Sequence, residues 1–316
     1  MNASAHELLY DVHTHVGVDL GFVLRGWWPY AETSQGLIQH MDAHAIGRAV
    51  CFPFVLSSAY DPYAFGDRGA VELLPDRVPY DRENLLLCEE CSRIDTDRRL
   101  MVFAMFDPSR KTGLQLANLE RLTGRIAGLK TQSTIIESPI RALLHESRGL
   151  MAFAEQHDLP VLFHTAVFPD DCWAQVETCL EIAAAYPRIR FNLAHSLRFH
   201  APHLAAAARL PNVWVDCAAH LAHCQLARED HPAVAPRCDR VDADYANPAQ
   251  VLEAVFDLLD GCYLWGSDNP FMSWCDKTIR AVYSYGQEAQ VLMALPAAVR
   301  TSMAATAPKA WLGMSN

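Results

Sequence analysis

The sequence predicts an α/β fold, a (β/α)₈ TIM barrel formed by a single domain over residues 1–316. Three observations predict it. Short β-rich runs alternate along the whole chain with stretches whose apolar residues recur at helical spacing, which is the pattern of a parallel sheet with crossover helices. Eight such units fit into the 316 residues, a length typical of this barrel. Several runs are continuously apolar, as expected for parallel strands covered on both faces.

The predicted strands cover residues 8–13, 49–55, 100–106, 127–131, 161–164, 189–194, 213–217 and 262–266. Amphipathic helical patterns separate them, for example at residues 37–41, 85–89, 114–122 and 176–183. An open doubly wound sheet is the alternative arrangement of the same elements. No Gly-x-Gly-x-x-Gly motif follows the first strand, so the sequence lacks the dinucleotide-binding signature of that fold.

Two connections in the predicted barrel are long. Residues 57–80 follow the second strand, and residues 220–246 follow the seventh. Both connections start at the carboxyl end of a strand, the side on which barrel enzymes build their active sites. Long loops in compact domains are commonly lids or binding loops. We therefore expect each to be a lid over the site or a subunit contact, and their composition favours neither.

The composition excludes several classes of partner. The formal net charge of −11 disfavours nucleic acids and anionic membrane surfaces. No run reaches the length of a membrane-spanning apolar helix, and residues 1–7 lack the basic and apolar regions of a signal peptide. The ten cysteines are scattered, several of them inside predicted strands, as is typical of reduced thiols. We therefore expect a cytoplasmic protein that binds a small-molecule substrate, with no nucleic-acid and no membrane partner.

Polar side chains follow four of the apolar strands. The first strand runs into Asp11-Val-His13-Thr-His15, where two histidines at i and i+2 project to the same face and can share one metal ion. The fifth strand ends in His164, the sixth is followed by His195, and the eighth is followed by Ser267-Asp268. In a closed barrel these ends border one cavity. The sequence therefore predicts that four histidines and one aspartate converge there.

Five motifs stand in order along the chain: Asp11-Val-His13-Thr-His15, Gly128-Leu-Lys130, Leu162-Phe-His164-Thr165, Asn192-Leu-Ala-His195 and Trp265-Gly-Ser-Asp268-Asn-Pro-Phe271. In kind and order they resemble the motifs of the metal-dependent amidohydrolase superfamily, specifically its amidohydrolase-related branch. That branch contains aminocarboxymuconate semialdehyde decarboxylases, related aromatic-acid decarboxylases and lactone hydrolases. The resemblance covers nearly the whole chain.

The resemblance implies that His13, His15, His164 and Asp268 hold one divalent metal ion, Zn²⁺ before Mn²⁺ or Fe²⁺. His195 would then be a catalytic or water-orienting group, and Asp268 would also accept a proton from the attacking water. Lys130 lies where some relatives bridge two metals with a carboxylated lysine. Because Gly-Leu-Lys is also the form in single-metal relatives, we expect one ion, with Lys130 in an ion pair or a substrate contact.

Substrate contacts are predicted from positions near these motifs. Arg25 and Trp28 lie in an Arg-Gly-Trp-Trp-Pro-Tyr stretch after the first strand, where an arginine beside aromatic rings suits a carboxylate and a ring. A loop packed on its own aromatic side chains is the alternative. Arg198 follows His195 closely enough to reach the cavity. His223, after the seventh strand, faces either the site or solvent.

The leading functional hypothesis is hydrolysis of a small carboxylated or cyclic compound, such as a lactone or an amide, through a metal-activated water. The close alternative is non-oxidative decarboxylation of an aromatic or muconate-type acid. Some aromatic-acid decarboxylases carry Glu-x-His in the first strand, so the intact His-x-His leans slightly away from that subgroup. A third alternative is a metal-containing subunit of a heteromeric, oxygen-using complex. We expect a homo-oligomer, a dimer, with a hetero-oligomer as the alternative.

Overall fold

Parallel strands form a closed wall in the computed structural model, which describes residues 8–24, 31–276 and 278–314. The strands, in chain order, are β1 (Tyr10–Val18), β2 (Ala31–Glu32), β3 (Arg48–Pro53), β4 (Leu100–Met105), β5 (Gly128–Thr131), β6 (Val161–Phe163), β7 (Phe191–Leu193), β8 (Val213–Asp216), β9 (Tyr263–Leu264), β10 (Trp274–Cys275) and β11 (Arg280–Ala281). β1 and β3 to β9 pair side by side in parallel. The predicted TIM barrel and its eight strands are confirmed, and β1 continues to Val18 instead of ending at residue 13.

Main-chain hydrogen bonds close the barrel between β1 and the segment that follows β9. The Asp268 amide donates to the His13 carbonyl at 2.8 Å, and the His15 amide donates to the Asn269 carbonyl at 2.7 Å. These bonds form a seam between the first and last parts of the barrel. Because the seam is bonded at these residues, two histidines of β1 lie directly beside the aspartate that follows β9.

The barrel strands are surrounded by helices. Their bounds are α1 (Leu20–Leu24), α2 (Ser34–Ala43), α3 (Pro62–Arg68), α4 (Asp81–Ile94), α5 (Thr112–Arg121), α6 (Arg148–Gln156), α7 (Val176–Ala185), α8 (Ala201–Ala207), α9 (His220–Arg228), α10 (Pro248–Leu259), α11 (Tyr285–Ala294), α12 (Ala297–Thr301) and α13 (Ala307–Leu312). A 3₁₀ helix spans Ile140–Leu144, and a π-helical turn spans Ser302–Thr306. Among the described residues, no helix has both the length and the apolarity needed to span a bilayer.

Each of the two long connections contains a helix that the sequence analysis did not predict. In residues 57–80, α3 starts at Pro62, and the Asp61 side chain accepts hydrogen bonds from the amides of Tyr63 and Ala64. An Asp-Pro pair is a recognised helix start, so the sequence carried this signal. In residues 220–246, α9 begins directly at His220 after a left-handed Ala219 and has no side-chain cap. That helix had no start signal in the sequence.

Side chains alternate along each strand between the barrel interior and the surrounding helices. Val50 and Phe52 of β3 pack inside the barrel, whereas Cys51 between them packs against the helix layer. This alternation follows from the two-residue repeat of a strand. β5 continues the pattern: Leu129 faces the helix layer, and Lys130 therefore enters the barrel interior. The strand register alone thus directs a lysine into the region where the polar side chains gather.

Candidate metal centre

Three of the four predicted ligands converge at the carboxyl end of the barrel. Nε2 of His13 lies 3.2 Å from Asp268 Oδ1, and Nε2 of His15 lies 3.3 Å from the same oxygen. One ligand atom from each of the three side chains lies within 4.8 Å of the others, and all three side chains are buried. Two imidazole nitrogens and a carboxylate oxygen form a donor set that Zn²⁺ and Mn²⁺ both accept. The residues present therefore fit a divalent ion.

A buried carboxylate that sequence reasoning missed orients the first of these histidines. Asp216, the last residue of β8, contacts Nδ1 of His13 through Oδ2 at 2.9 Å. The same oxygen accepts a hydrogen bond from the Asn192 amide at 2.8 Å, and Asp216 Oδ1 accepts one from the His195 main chain at 3.1 Å. A carboxylate on Nδ1 turns Nε2 toward a metal, a common arrangement in metal sites. Asp216 ends an apolar strand, so the signal that found the other residues could have found it.

Burial and neighbouring charges set the protonation of the three residues. Burial lowers the pKa of His15 to about 4, so its imidazole is neutral, the form that binds a metal. Burial and Lys130 lower the pKa of His13, but Asp216 and Asp268 outweigh them and bring it above its ordinary value. Burial raises the pKa of Asp268, yet its contacts with both histidines hold it well below the usual range. Asp268 is therefore an ionised carboxylate.

His195 and His164 form a second pair of imidazoles beside the three-residue group. Nδ1 of His195 donates to the Ala218 carbonyl at 3.1 Å and lies 3.9 Å from Asp268 Oδ2. Nε2 of His195 is therefore the acceptor for Nδ1 of His164 at 2.9 Å. Nε2 of His164 then accepts from Arg198 Nη2 at 3.2 Å. Both ring nitrogens of His164 are thus engaged outside the three-residue group, and its role as a metal ligand stays a prediction.

An unusual backbone turn carries His195 into the cavity. All five residues of His195–Phe199 have positive φ, between 46° and 66°. The left-handed region costs an L-residue about 1–2 kcal/mol, so other contacts must hold the turn. Ser196 Oγ and Tyr263 Oη are 2.6 Å apart, and the Arg198 carbonyl accepts from the Ala235 amide at 2.9 Å. The segment contains no glycine or asparagine, the residues that usually adopt this conformation, so the left-handed turn was not predictable from the sequence.

Arg198, a predicted substrate residue, lines the cavity together with His223. Its Nε donates to the Thr165 carbonyl at 3.1 Å, Nη1 contacts Nε2 of His223, and Nη2 contacts His164. Burial lowers the pKa of Arg198 to about 10, which leaves the guanidinium charged at neutral pH. His223 therefore faces the site and not the solvent.

Lys130 lies against the three-residue group of His13, His15 and Asp268. Its Nζ is 3.5 Å from His13 Nε2 and 5.1 Å from the centre of the Phe52 ring. Burial lowers the pKa of Lys130 to about 7, although Asp216 and Asp268 act in the opposite direction. Within the part of the chain that the structure describes, Lys130 makes no direct salt bridge, but Asp216 and Asp268 act on its charge, so its role in an ion pair stays a prediction. The alternative, a substrate contact, stays a prediction.

These side chains surround a cavity of about 300 Å³, within the range of small-molecule sites. One part of its wall is polar and includes the histidines, Lys130, Arg198 and Asp268. The other part includes apolar side chains that sequence reasoning did not assign to the site: Phe22, Val55, Ile135 and Ala222. Arg25 and Trp28, two predicted substrate residues, lie outside the described residues. The arrangement suits a small, partly apolar ligand.

Comparison with known proteins gives the family. The family model described as Amidohydrolase matches residues 10–314. No curated protein matches the chain. Among solved structures, an amidohydrolase from Burkholderia multivorans with bound zinc has a TM-score of 0.63 at 17% identity, covering 98% of this chain and 100% of that one. The 2,6-dihydroxybenzoate decarboxylase from Rhizobium has a TM-score of 0.64 at 13% identity, covering 97% and 99%.

A dihydroxybenzoic acid decarboxylase from a Polaromonas species, with bound manganese and the inhibitor 2-nitroresorcinol, has a TM-score of 0.63 at 12% identity, covering 97% of each chain. At these identities the three likenesses concern the fold. The match to the family model is a sequence match that spans almost the whole chain, so it shows the family and not only the fold. This chain belongs to the amidohydrolase family.

Proposed function

We propose that this metal-dependent enzyme hydrolyses a small carboxylated or cyclic compound, such as a lactone or an amide. His13, His15 and Asp268 would hold one divalent ion, Zn²⁺ before Mn²⁺ or Fe²⁺. The observation that carries the proposal is the placement of the two Asp268 oxygens. Oδ1 lies 3.2 and 3.3 Å from the two imidazole nitrogens, whereas Oδ2 lies 3.9 Å from His195. One oxygen is thus available to the ion and the other to a proton.

The residues around Asp268 supply the remaining parts of a hydrolytic mechanism. A bound divalent ion supplies Lewis acidity and lowers the pKa of water. Asp268 Oδ2 accepts the proton that the attacking water loses, and it returns that proton to the leaving oxygen or nitrogen. His195 is held by Ala218 and faces Asp268 Oδ2, so it orients this exchange. The rings of Phe22 and Phe271 line the cavity and form part of its apolar wall.

Decarboxylation is the second candidate, and one observation favours it. Two of the compared structures are decarboxylases of dihydroxybenzoic acids, and each covers 97% of this chain. The aromatic side chains of Phe22, Phe271 and Trp274 line the cavity and can pack against a planar ring. In this alternative the substrate carboxylate would lie at the ion and leave as CO₂, and the ring carbon would take up a proton.

The two candidates differ in a product that is easy to measure. We would load the protein with Zn²⁺ or Mn²⁺ and supply lactones and amides, and in parallel hydroxybenzoic and muconate-type acids. Ring opening or amide cleavage without CO₂ supports hydrolysis, and CO₂ release from the acids supports decarboxylation. Asp268→Asn should lose bound metal and turnover together, whereas the exposed control Glu181→Gln should keep both. Full turnover by Asp268→Asn would refute the site.

A further inference from the structure

We propose that Gln132 is a substrate-binding residue that determines specificity, because its side-chain amide donates hydrogen bonds to an uncharged oxygen of the substrate, a carbonyl or a hydroxyl group. The substrate class is then a small, partly apolar compound that carries such an oxygen. The reaction of this compound rests on the proposed function, whereas the binding of its oxygen rests on Gln132 and its surroundings alone. Gln132 is not among the residues that the sequence motifs assigned to the site.

The strand register directs Gln132 into the cavity. Gln132 directly follows β5, two residues after Lys130 and four after Gly128. A Cβ on Gly128 would lie 2.4 Å from the ring of Phe103 in the barrel interior, and Lys130 lines the cavity. Because side chains of an extended chain alternate with a two-residue repeat, Gln132 takes the same face. It is 6% exposed and lines the cavity together with Ile135.

A main-chain hydrogen bond fixes which end of the Gln132 amide is left for a ligand. The Ile135 N–H donates to Gln132 Oε1 at 2.7 Å. A main-chain N–H can only donate, so the oxygen of the side-chain amide, and not its nitrogen, must face Ile135. The nitrogen Nε2 carries two N–H groups. Among the described residues, neither of them has a hydrogen-bond partner.

These two N–H groups are open to the cavity. The neighbouring Thr131 Oγ1 and Ser133 Oγ are fully buried without partners, whereas Gln132 Nε2 keeps contact with open space. Since nearly all of Gln132 is buried and the residue lines the cavity, that space is the cavity. A ligand that fills the cavity but brings no acceptor leaves the amide unpaired, which is costly. A site of this kind selects ligands that carry the matching oxygen.

The turn that carries Gln132 is held in place by two buried carboxylates. Thr134 Oγ1 donates to Asp171 Oδ2 at 2.5 Å, and Ser138 Oγ donates to Asp107 Oδ1 at 2.5 Å. Both contacts are outside the amide group itself, so they fix the turn and leave Nε2 free. A donor on a turn that is already ordered loses little conformational freedom when a ligand binds. Gln132 is therefore oriented for an acceptor before the acceptor arrives.

The chemistry of the amide identifies the class of acceptor. Gln132 is uncharged, and the charged Arg198 lines the same cavity. An anionic oxygen forms a stronger hydrogen bond with a cation than with a neutral amide. An uncharged oxygen has no such preference and is the natural partner of Gln132. Ile135, beside it in the cavity wall, suits an apolar part of the same ligand.

Indanone and indane test this role on chelator-treated protein, where no ion competes for the ketone. The two compounds share an apolar bicyclic body and differ in the ketone oxygen. In nitrogen–proton correlation NMR spectra, the side-chain peaks of Gln132 are those missing from Gln132→Glu or Gln132→Met. We expect indanone to shift these peaks downfield and indane to leave the proton position nearly unchanged, because only the ketone accepts a hydrogen bond from Nε2.

Gln132→Glu separates ligand binding from a structural role in the turn. The new carboxylate still accepts from the Ile135 N–H, but it offers no donor to the ketone and repels its oxygen. We expect indanone to bind at least about tenfold more weakly, with a smaller change for indane. Gln250→Glu on α10 is the matched control, because it adds the same charge at an exposed position outside the cavity. It should bind both compounds as the native protein does.

Two results would overturn the proposal. One is a Gln132→Glu variant that keeps the native affinity for indanone or loses affinity for indanone and indane equally, which would leave Gln132 only its role in the turn. The other is a Gln132 side-chain signal in the native protein that indanone does not shift. Neither measurement involves turnover, so a failure to find hydrolysis would leave both results standing.

Discussion

Single residues at the ends of strands decide what this barrel can bind. His13, His15 and Asp268 were predicted together because a polar side chain after an apolar strand faces the mouth of a barrel. Asp216 met the same criterion and was missed, because a lone aspartate after a strand has no motif of its own. His164 was predicted as a ligand by resemblance, and in the structure its two nitrogens contact His195 and Arg198. The position of a residue was predictable, but the partner of each nitrogen depends on side-chain packing.

The contact between Asp216 and His13 gives a prediction at this scale. Asp216→Asn should weaken metal affinity by about 10–100-fold, the usual effect of removing a carboxylate that orients a ligating histidine. The reason is that the amide no longer favours the tautomer that leaves Nε2 free to bind the ion. Metal affinity can be measured by competition with a chromophoric chelator. The exposed control Asp257→Asn on α10 should bind metal as the native protein does, and the same result for Asp216→Asn would contradict the orienting role.

At the scale of elements, apolar runs in the sequence predicted the barrel strands, but they did not predict the structure of the segments between the strands. The strands were predictable because parallel strands buried on both faces must be apolar throughout. α3 had an Asp61-Pro62 start signal that the polar composition of its surroundings concealed. The turn His195–Phe199 had no local signal, because its left-handed backbone is imposed by contacts with distant segments. One of these is the contact between Ser196 and Tyr263.

The Ser196–Tyr263 contact predicts how this turn responds to mutation. Ser196→Ala leaves the buried Tyr263 hydroxyl without its partner, and we expect a loss of about 1–3 kcal/mol in the free energy of unfolding. Tyr263→Phe should give a loss of similar size. Because the double variant removes both partners, its loss should be smaller than the sum of the two. Urea unfolding of all four proteins measures this, and strictly additive losses would show that the hydroxyls do not support each other.

For the whole molecule, the group of His13, His15 and Asp268 lies on the seam that closes the barrel. Two of these residues belong to β1 and the third follows β9, so an ion held there would connect the two ends of the sheet. The sequence order of the motifs made this closure predictable, since the first and eighth strands are neighbours only in a closed barrel. The main-chain bonds of the seam were not predictable, because they depend on the local backbone around Asp268, whose φ is 63°. A homodimer and a cytoplasmic location stay predictions.

The position of the group on the seam predicts that the ion stabilises the whole barrel. Adding Zn²⁺ or Mn²⁺ to the chelator-treated protein should raise Tm, and the rise should grow with concentration as expected for a ligand of the folded state, about 2.7 kcal/mol at 100 times Kd. Asp268→Asn should lose most of this rise because it removes the ligand on one side of the seam. The exposed control Glu181→Gln should show the native rise. An unchanged rise in Asp268→Asn would mean that the ion binds elsewhere, since only an ion held by β1 and Asp268 together can link the two ends of the sheet.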